Sequence, residues 1–466
     1  MPDCYYEGLQ LVIRESYFGL APPVVDIIFL YINNQVLFSN SLSKNIISNS
    51  SNKTSLDGLL VNIPEEILNK RELELEWLSG FSEAEAMFYI STSGALSFKI
   101  KLHWDDRETL EYIRNLLSEL ANREIGIIVD SKDLHESYYN ISKFKDLYEI
   151  IIPIFSKYYF STSKYFDFQD FKKASEIKKN SFIKKRKLNK EELNEILILK
   201  SKMNSQRLHF EIKDIPKRAL TPYRVLGFVE GDGTFCLTNM SPLFAIKQHS
   251  KNIHFLHEIA EFLNNLPYNP EIGPSIDKLN TRPTAGISPA GNNTSSLNVT
   301  NILQLYNYVL PFFKLLKFRS RKFIDFQLWE LVVKLKALGF TTQPEGKTFL
   351  IEINKYINKR YSTRAFVEKA PDLNKIKELL NNPPIYDLSS GLSYKAISDI
   401  IKVSKKGHSG FGVNVYDNGK LVEGSPFSSY TQAALALGNI NISSVISKKI
   451  DTDKLYKERY KFESSS

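Results

Sequence analysis

The sequence predicts one mixed α/β fold written twice in a single chain, the two copies forming a pseudo-twofold pair. Three observations carry that expectation. Leu78 to Ala86 (LSGFSEAEA) and Val225 to Gly233 (VLGFVEGDG) are the same apolar-then-acidic phrase. Each is followed by the same run: Phe98, Ile100, His103, Leu110, Ile113, Leu116 and Leu117 in the first, and Phe244, Ile246, His249, Leu256, Ile259, Phe262 and Leu263 in the second. Farther on, Pro153, Phe155, Phe160, Lys164, Asp167, Phe168 and Gln169 recur at identical spacing as Pro311, Phe313, Phe318, Lys322, Asp325, Phe326 and Gln327. The halves span about Arg71 to Ser205 and Ala219 to Arg360, a period far too long for a solenoid.

Each phrase reads as a helix. Gly80 and Ala84 lie four residues apart, as do Gly227 and Gly231, so each pair shares one face and leaves it nearly flat. Two such faces can cross more closely than ordinary helices do. The crossing would bring Glu85 and Asp232 together at the C-terminal ends, where like charges repel and a divalent cation is the usual remedy. Magnesium suits oxygen ligands and a phosphate substrate. In the runs that follow, alternating apolar positions give way to helical ones, predicting a strand and then an amphipathic helix in each copy. A further echo sets Glu192 to Asn204 beside Gly346 to Asn358, each an apolar helical stretch ending in asparagine.

Outside the repeats, residues 1–70 carry no motif. Val24 to Ile32 contains Asp26 and is too short to span a bilayer, so no membrane partner is expected and a small core segment is. Ser39 to Ser55 reads as a loop. Asn264 to Ser296, rich in Pro, Gly and Asn, is expected to form long turns. Pro371 to Lys406, with Lys402, Lys405 and Lys406, reads as a tether that touches phosphate. From Gly410 the pattern changes: VNVYDNGKLV is a hairpin around Asp417, Asn418 and Gly419. Helices at Thr431 to Leu437 and about Ile442 to Lys449, parted by Gly438, fit either a helix-turn-helix unit or a small capping subdomain.

The formal charge is +9, from 61 Lys and Arg against 52 Asp and Glu, and the excess is clustered. Lys172, Lys173, Lys178 and Lys179 crowd the end of the first repeat; Lys314, Lys317, Arg319 and Arg321 crowd the matching part of the second. Beside paired carboxylates, such clusters point to a phosphate backbone. Cys4 and Cys236 are too few for a disulfide framework or a zinc site, which implies a reducing compartment. Heavy use of Ile, Asn, Lys, Phe and Tyr fits an AT-rich, organelle-encoded reading frame.

The two phrases, the strand after each and the lysine block resemble those of the LAGLIDADG homing endonucleases of the two-motif, single-chain class, over about Arg71 to Arg360. The resemblance implies an α+β fold of two αββαββα halves meeting at their motif helices. Each half would lay an antiparallel sheet in the DNA major groove, where all four base pairs can be told apart. It implies a monomer cutting a long asymmetric double-stranded DNA target. Glu85 and Asp232 would hold magnesium or manganese at the scissile phosphates, and Gln248 would organise the attacking water. Leu102, its counterpart, cannot. Lys164 and Lys322 would stabilise phosphate charge or contact the DNA backbone, whereas Glu83 and Glu230 would anchor local structure. Ala86 stands where the second motif has Gly233, at a helix end expected to need a left-handed residue, at a cost for alanine of about 1 kcal/mol. With Leu102, this marks the first half-site as the weaker one.

The C-terminal segment is similar to the modular DNA-binding domains appended to homing nucleases, which selects the helix-turn-helix reading with the second helix in a groove. The expected organisation is an extension (1–70), a first LAGLIDADG domain (71–205), a linker (206–218), a second LAGLIDADG domain (219–360), a basic tether (361–408) and the module (409–466). The expected function is a mitochondrial, intron-encoded, metal-dependent endonuclease that promotes intron homing. Two alternatives keep the fold: an RNA maturase assisting splicing of its group I intron, and a DNA-binding protein that no longer cuts.

Overall fold

The computed structural model describes residues 60, 62–268, 285–358, 371–388, 397, 412–439 and 442–465. The chain divides into two compact units, 1–391 and 392–466.

The first unit begins earlier than expected. Helix α1 (Glu65–Lys70) precedes the first motif, and Leu60, Ile63 and Leu68 are buried in the main core. The reason lies in α4, residues 144–157, a helix with a π-turn at Leu147–Ile151. Pro153 has no N–H to give the Glu149 carbonyl, and that carbonyl instead accepts from the Ile63 N–H at 3.0 Å. The core thus reaches back into the stretch read as an extension. Val24 to Ile32 and Ser39 to Ser55 lie outside the described residues.

The first repeat continues with the motif helix α2 (Glu72–Glu85), strands β1 (Ala86–Ile90) and β2 (Leu96–His103), helix α3 (Arg107–Ala121), strands β3 (Ile127–Ser131) and β4 (Glu136–Ile141), α4, and helices α5 (Lys164–Ile183) and α6 (Lys190–Lys200). The second repeat runs α7 (Pro222–Asp232), β5 (Gly233–Thr238), β6 (Ser241–His249), α8 (Ile253–Asn264), β7 (Gly286–Gly291), β8 (Thr294–Val299), α9 (residues 302–314, with its own π-turn at Leu305–Val309), α10 (Lys322–Ala337) and α11 (Pro344–Tyr356). Both sheets are four-stranded and antiparallel, ordered β1-β2-β4-β3 and β5-β6-β8-β7. Sheet and helix thus recur in the order αββαββα, as the resemblance implied.

Alternation decides which face of each sheet packs on its helices. Phe88, Phe98, Ile100, Tyr139 and Ile141 point inward and are buried, and so do Phe235, Phe244, Ile246, Leu297 and Val299. On the other face, Met87, Lys99, Asn140 and Ile127 stand in register across the first sheet, with Lys101, Tyr138 and Val129 in the next such row. The segment Asn264 to Ser296, expected to be turns, contains β7 and the start of β8; its stretch 269–284 lies outside the described residues. Asn298 and Ser296 on β8 make good strand pairings with β6 despite the polar composition.

The matched asparagines end their helices alike. Asn204 and Asn358 both adopt φ of 57°. Their N–H groups donate to Asp167 and Asp325, and their side chains donate to the carbonyls of Phe88 and Phe235. Each thereby ties the last helix of a repeat to its first strand. The linker 206–218 is held at both ends, by Arg207 on Asp167 and Asp170 and by Arg218 on Glu76. Helix α12 (Leu373–Leu380) falls in the stretch expected to be a tether, but it buries Ile376 and Leu379, and Tyr386 packs beside Gly339. Residues 371–388 are therefore part of the folded unit; Lys402, Lys405 and Lys406 lie outside the described residues.

Among its described residues, the second unit forms a three-stranded sheet and two helices. Strands β9 (Gly412–Asp417) and β10 (Lys420–Leu421) make the expected hairpin, with positive φ at both Asn418 and Gly419, as a two-residue type I′ turn requires. Helix α13 (Tyr430–Ala436) is capped by Ser429, Gly438 has φ of +73°, and α14 (Ser443–Lys449) follows. Strand β11 (Tyr460–Ser465), which the sequence reading assigned to no element, pairs antiparallel with β9. Val413, Val415, Ala433, Ala434, Ile446 and Phe462 form its core.

Candidate active site at the motif-helix junction

Helices α2 and α7 cross where the small residues lie. A Cβ at Gly80 would stand 2.0 Å from the Arg224 carbonyl oxygen, and one at Gly227 would stand 2.1 Å from that of Trp77. Trp77 and Arg224 hold the same position in the two motifs, so the contacts are reciprocal. One turn on, a Cβ at Gly231 would meet the Ala84 Cβ at 2.3 Å. All four small residues of the expected interface are therefore in it.

Polar bonds cross the junction in the same reciprocal manner. The Trp77 indole N–H donates to Glu230 at 2.5 Å, and the Arg224 guanidinium donates to Glu83 at 3.2 Å. Glu83 also accepts from the N–H groups of Ser161 and Thr162, and Glu230 from those of Arg319 and Ser320. Each glutamate thus fixes the turn that starts the long helix of its own repeat, the anchoring role expected for it.

Lys164 and Lys322 begin those long helices. Their amines point at the C-terminal ends of the motif helices: Lys164 donates to the carbonyls of Ser82 and Ala86, and Lys322 to those of Val229, Gly231 and Gly233. A cation there is favoured by the helix dipole. Lys322 has all three N–H groups engaged, which leaves it charge but no free donor for a phosphate. The expected left-handed helix end is absent, since Ala86 (φ −85°, ψ 155°) and Gly233 (φ −79°, ψ 160°) are both extended. Alanine therefore carries no conformational penalty at position 86. A Cβ at Gly233 would instead strike Val229, at 2.6 Å from its side chain and 2.7 Å from its carbonyl.

The two carboxylates end the helices side by side. The Glu85 Oε1 lies 3.5 Å from where a Cβ on Gly231 would be, against the backbone that carries Asp232. Burial pushes the Glu85 carboxyl up, the neighbouring Asp232 charge adds to this, and Lys322 and Lys164 oppose it. Burial likewise raises Asp232, against Lys164, Lys322 and a hydrogen bond from Gln248. Burial lowers both lysines. Among the described residues no three His, Cys, Asp or Glu side chains cluster as a closed metal cage. Two hard oxygen donors with open positions fit a divalent ion of the magnesium type, which commonly takes one or two carboxylates and completes its shell with water and phosphate.

Around this pair the halves differ. Gln248 donates to Asp232, Asn252 donates to Gln248 at 3.3 Å, and the Ser163 N–H donates to Asn252 at 3.0 Å. In the first half the position of Gln248 is held by Leu102 and that of Asn252 by Asp106, which pairs with Arg321 at 3.3 Å. Glu85, Leu102, Asp106, Arg321 and Lys322 line one pocket. Sequence reading missed Asn252 and Asp106, whose sole signal was their equal offset from the matched histidines, and read Arg321 only as one of a basic cluster. His103 and His249 themselves accept from the Asp105 and Lys251 N–H groups and so start the helices that follow.

Two helices crossing on small residues, each ending in a carboxylate and each followed by a four-stranded antiparallel sheet, define a two-motif nuclease fold. Residues 78–175 and 225–333 both match the family model described as LAGLIDADG endonuclease. It is 29% identical over 409 residues to the uncharacterized mitochondrial protein RF1 of Saccharomyces cerevisiae, a match covering 82% of this chain and 81% of that one. It is 27% identical over 271 residues to the probable intron-encoded endonuclease Cox1-I1b of Schizosaccharomyces pombe, 54% of this chain and 62% of that protein. Among solved structures, the meganuclease I-SmaMI bound to an uncleavable DNA is similar at 22% identity with a TM-score of 0.50, covering 61% of this chain and 99% of that one. Among the described residues no helix is long and apolar enough to cross a membrane.

Proposed function

We propose that this chain is a mitochondrial, intron-encoded endonuclease that makes site-specific double-strand breaks in DNA with a divalent metal, magnesium or manganese, as cofactor. The observation that carries the reading is the meeting of Glu85 and Asp232, one from each repeat, at the ends of two interlocked helices. A protein that only bound nucleic acid would gain nothing from two juxtaposed, partly buried carboxylates. The names of the relatives in Saccharomyces and Schizosaccharomyces support the setting, and the DNA-bound meganuclease of like fold supports the substrate.

Glu85 and Asp232 would hold the metal, which supplies charge against the scissile phosphates and lowers the pKa of water for in-line attack. Gln248, fixed by Asn252, presents its amide beside Asp232 and orients a water there. Leu102 has no polar atom and leaves the first half-site to other groups. Lys164 and Lys322 hold the motif-helix ends in place and set the electrostatics of the carboxylate pair from beneath it.

The test is linearisation of a plasmid carrying the intronless exon junction by the purified protein. Glu85→Gln and Asp232→Asn should each abolish double-strand cleavage while leaving DNA binding within about threefold of the parent. Undiminished cleavage in both variants would overturn the assignment.

A further inference from the structure

The outward faces of the two sheets have different chemistry at the same positions. Where the first sheet has Met87, Tyr89, Ile127, Val129 and Tyr138, the register of the second places Thr234, Cys236, Gly286, Ser288 and Ser296. Two polar positions are unchanged: Lys101 answers to Lys247 and Asn140 to Asn298. The apolar side chains of the first sheet are not tucked away, since Ile127 is 59% exposed, Met87 39% and Tyr89 37%. Its lysines are held in place: Lys99 lies over the Tyr89 ring at 4.4 Å and Lys101 pairs with Glu136 at 2.9 Å. The face is therefore a set of apolar and aromatic contacts between fixed positive charges. In the second sheet the same area offers hydroxyls, a thiol, an amide, the Lys247 amine and bare backbone, with Ala245 where the first has Lys99.

Against a DNA major groove these faces are not equivalent. Every base edge there is polar except for the C5-methyl of thymine. An apolar side chain pressed on a donor or acceptor leaves that group without a partner, whereas pressed on a methyl it buries two apolar surfaces at once. We infer that the first repeat selects its half of the target through thymine methyl groups, read by Met87, Ile127 and their neighbours, and that the second repeat selects its half through hydrogen bonds. This rests on the endonuclease reading above and names the base chemistry of its two half-sites.

Duplexes recovered by the full-length protein from a randomised pool, with EDTA present so that binding alone is read, supply the probe. Thymine is then replaced by uracil, which removes the methyl and keeps the pairing, in one half of the recovered duplex at a time. Substitution in one half should weaken binding by roughly threefold to fourfold for each contacted methyl, and substitution in the other half should change little. The loss should shrink in the double variant Met87→Ser, Ile127→Ser, which changes only exposed side chains and whose thermal melt should match the parent's. Equal losses in both halves, no loss in either, or a loss undiminished in the double variant would each overturn the inference while leaving the nuclease assignment intact. A pool that yields no enriched duplex defeats the nuclease assignment and this inference with it.

Discussion

Leu102 and Gln248 occupy one position in two copies of the same strand, and they make the half-sites chemically unequal. Gln248 can hold a water by its amide because Asn252 fixes its other end; Leu102 can only exclude one. The strand opposite Asp232 should therefore be cut faster, and nicked circles should accumulate before linear DNA. Gln248→Leu should slow that strand by about 10²-fold, and equal rates on both strands in the parent would count against the asymmetry. Lys322 invites a second prediction at this scale. Replacing it with Met would take the side-chain donor from the carbonyls of Val229, Gly231 and Gly233; Val229 keeps the Gly233 N–H, and a buried carbonyl left without any donor costs about 1–3 kcal/mol. Chemical denaturation of Lys322→Met should show a loss of at least ~2 kcal/mol, independent of its effect on cutting.

The motif helices are the element on which the most depends. A Cβ on Gly80 or Gly227 would fall near 2 Å from a backbone carbonyl of the partner helix, and a carbonyl cannot rotate away as a side chain can. Gly227→Ala should cost about 3 kcal/mol and lose DNA cleavage with it, as a thermal melt beside a plasmid assay would show. Helix α6 makes a pH-dependent prediction. Its capping-box residue Glu192 is held down to about 2, first by the Arg186 side chain and then by the Asn189 N–H. A carboxyl whose folded pKa is depressed stabilises above its unfolded value and loses that contribution only as pH falls through the folded one. Carbon-13 titration of Glu192 should therefore show a midpoint near 2, moving up in Arg186→Ala; a midpoint of about 4 in the parent would contradict the cap.

At the scale of the whole molecule, two compact units share one chain. The first has its own continuous core, in which α12 is included rather than appended, and the second has a separate core built on three strands. A chain ending at Gly391 should keep the first unit's thermal transition and still cut its target. If the second unit adds DNA contacts, the shortened chain should bind more weakly, with a smaller dependence of affinity on salt. Calorimetry and a salt series on both forms check this; loss of the first transition would show that the units are not independent.

The amino-acid sequence by itself determined the duplication, the small-residue helices, the two carboxylates, the hairpin at Asn418 and Gly419, and the asparagines that close each repeat. Apart from the duplication, which the repeated spacing shows directly, these are short-range patterns, in which residue type and spacing already state the backbone geometry. The tertiary structure alone decided the rest. Lys164 and Lys322 turned out to cap helices distant in sequence, and Asn252 and Asp106 joined the site across a strand and a turn. The helix ends at Ala86 and Gly233 were extended because the chain passes directly into a strand. Segment 371–388 packed on the core, although its prolines and lysines look like a tether, because Ile376, Leu379 and Tyr386 find apolar partners in residues far away along the chain. Such partners depend on which surfaces meet, and a linear pattern holds no record of that.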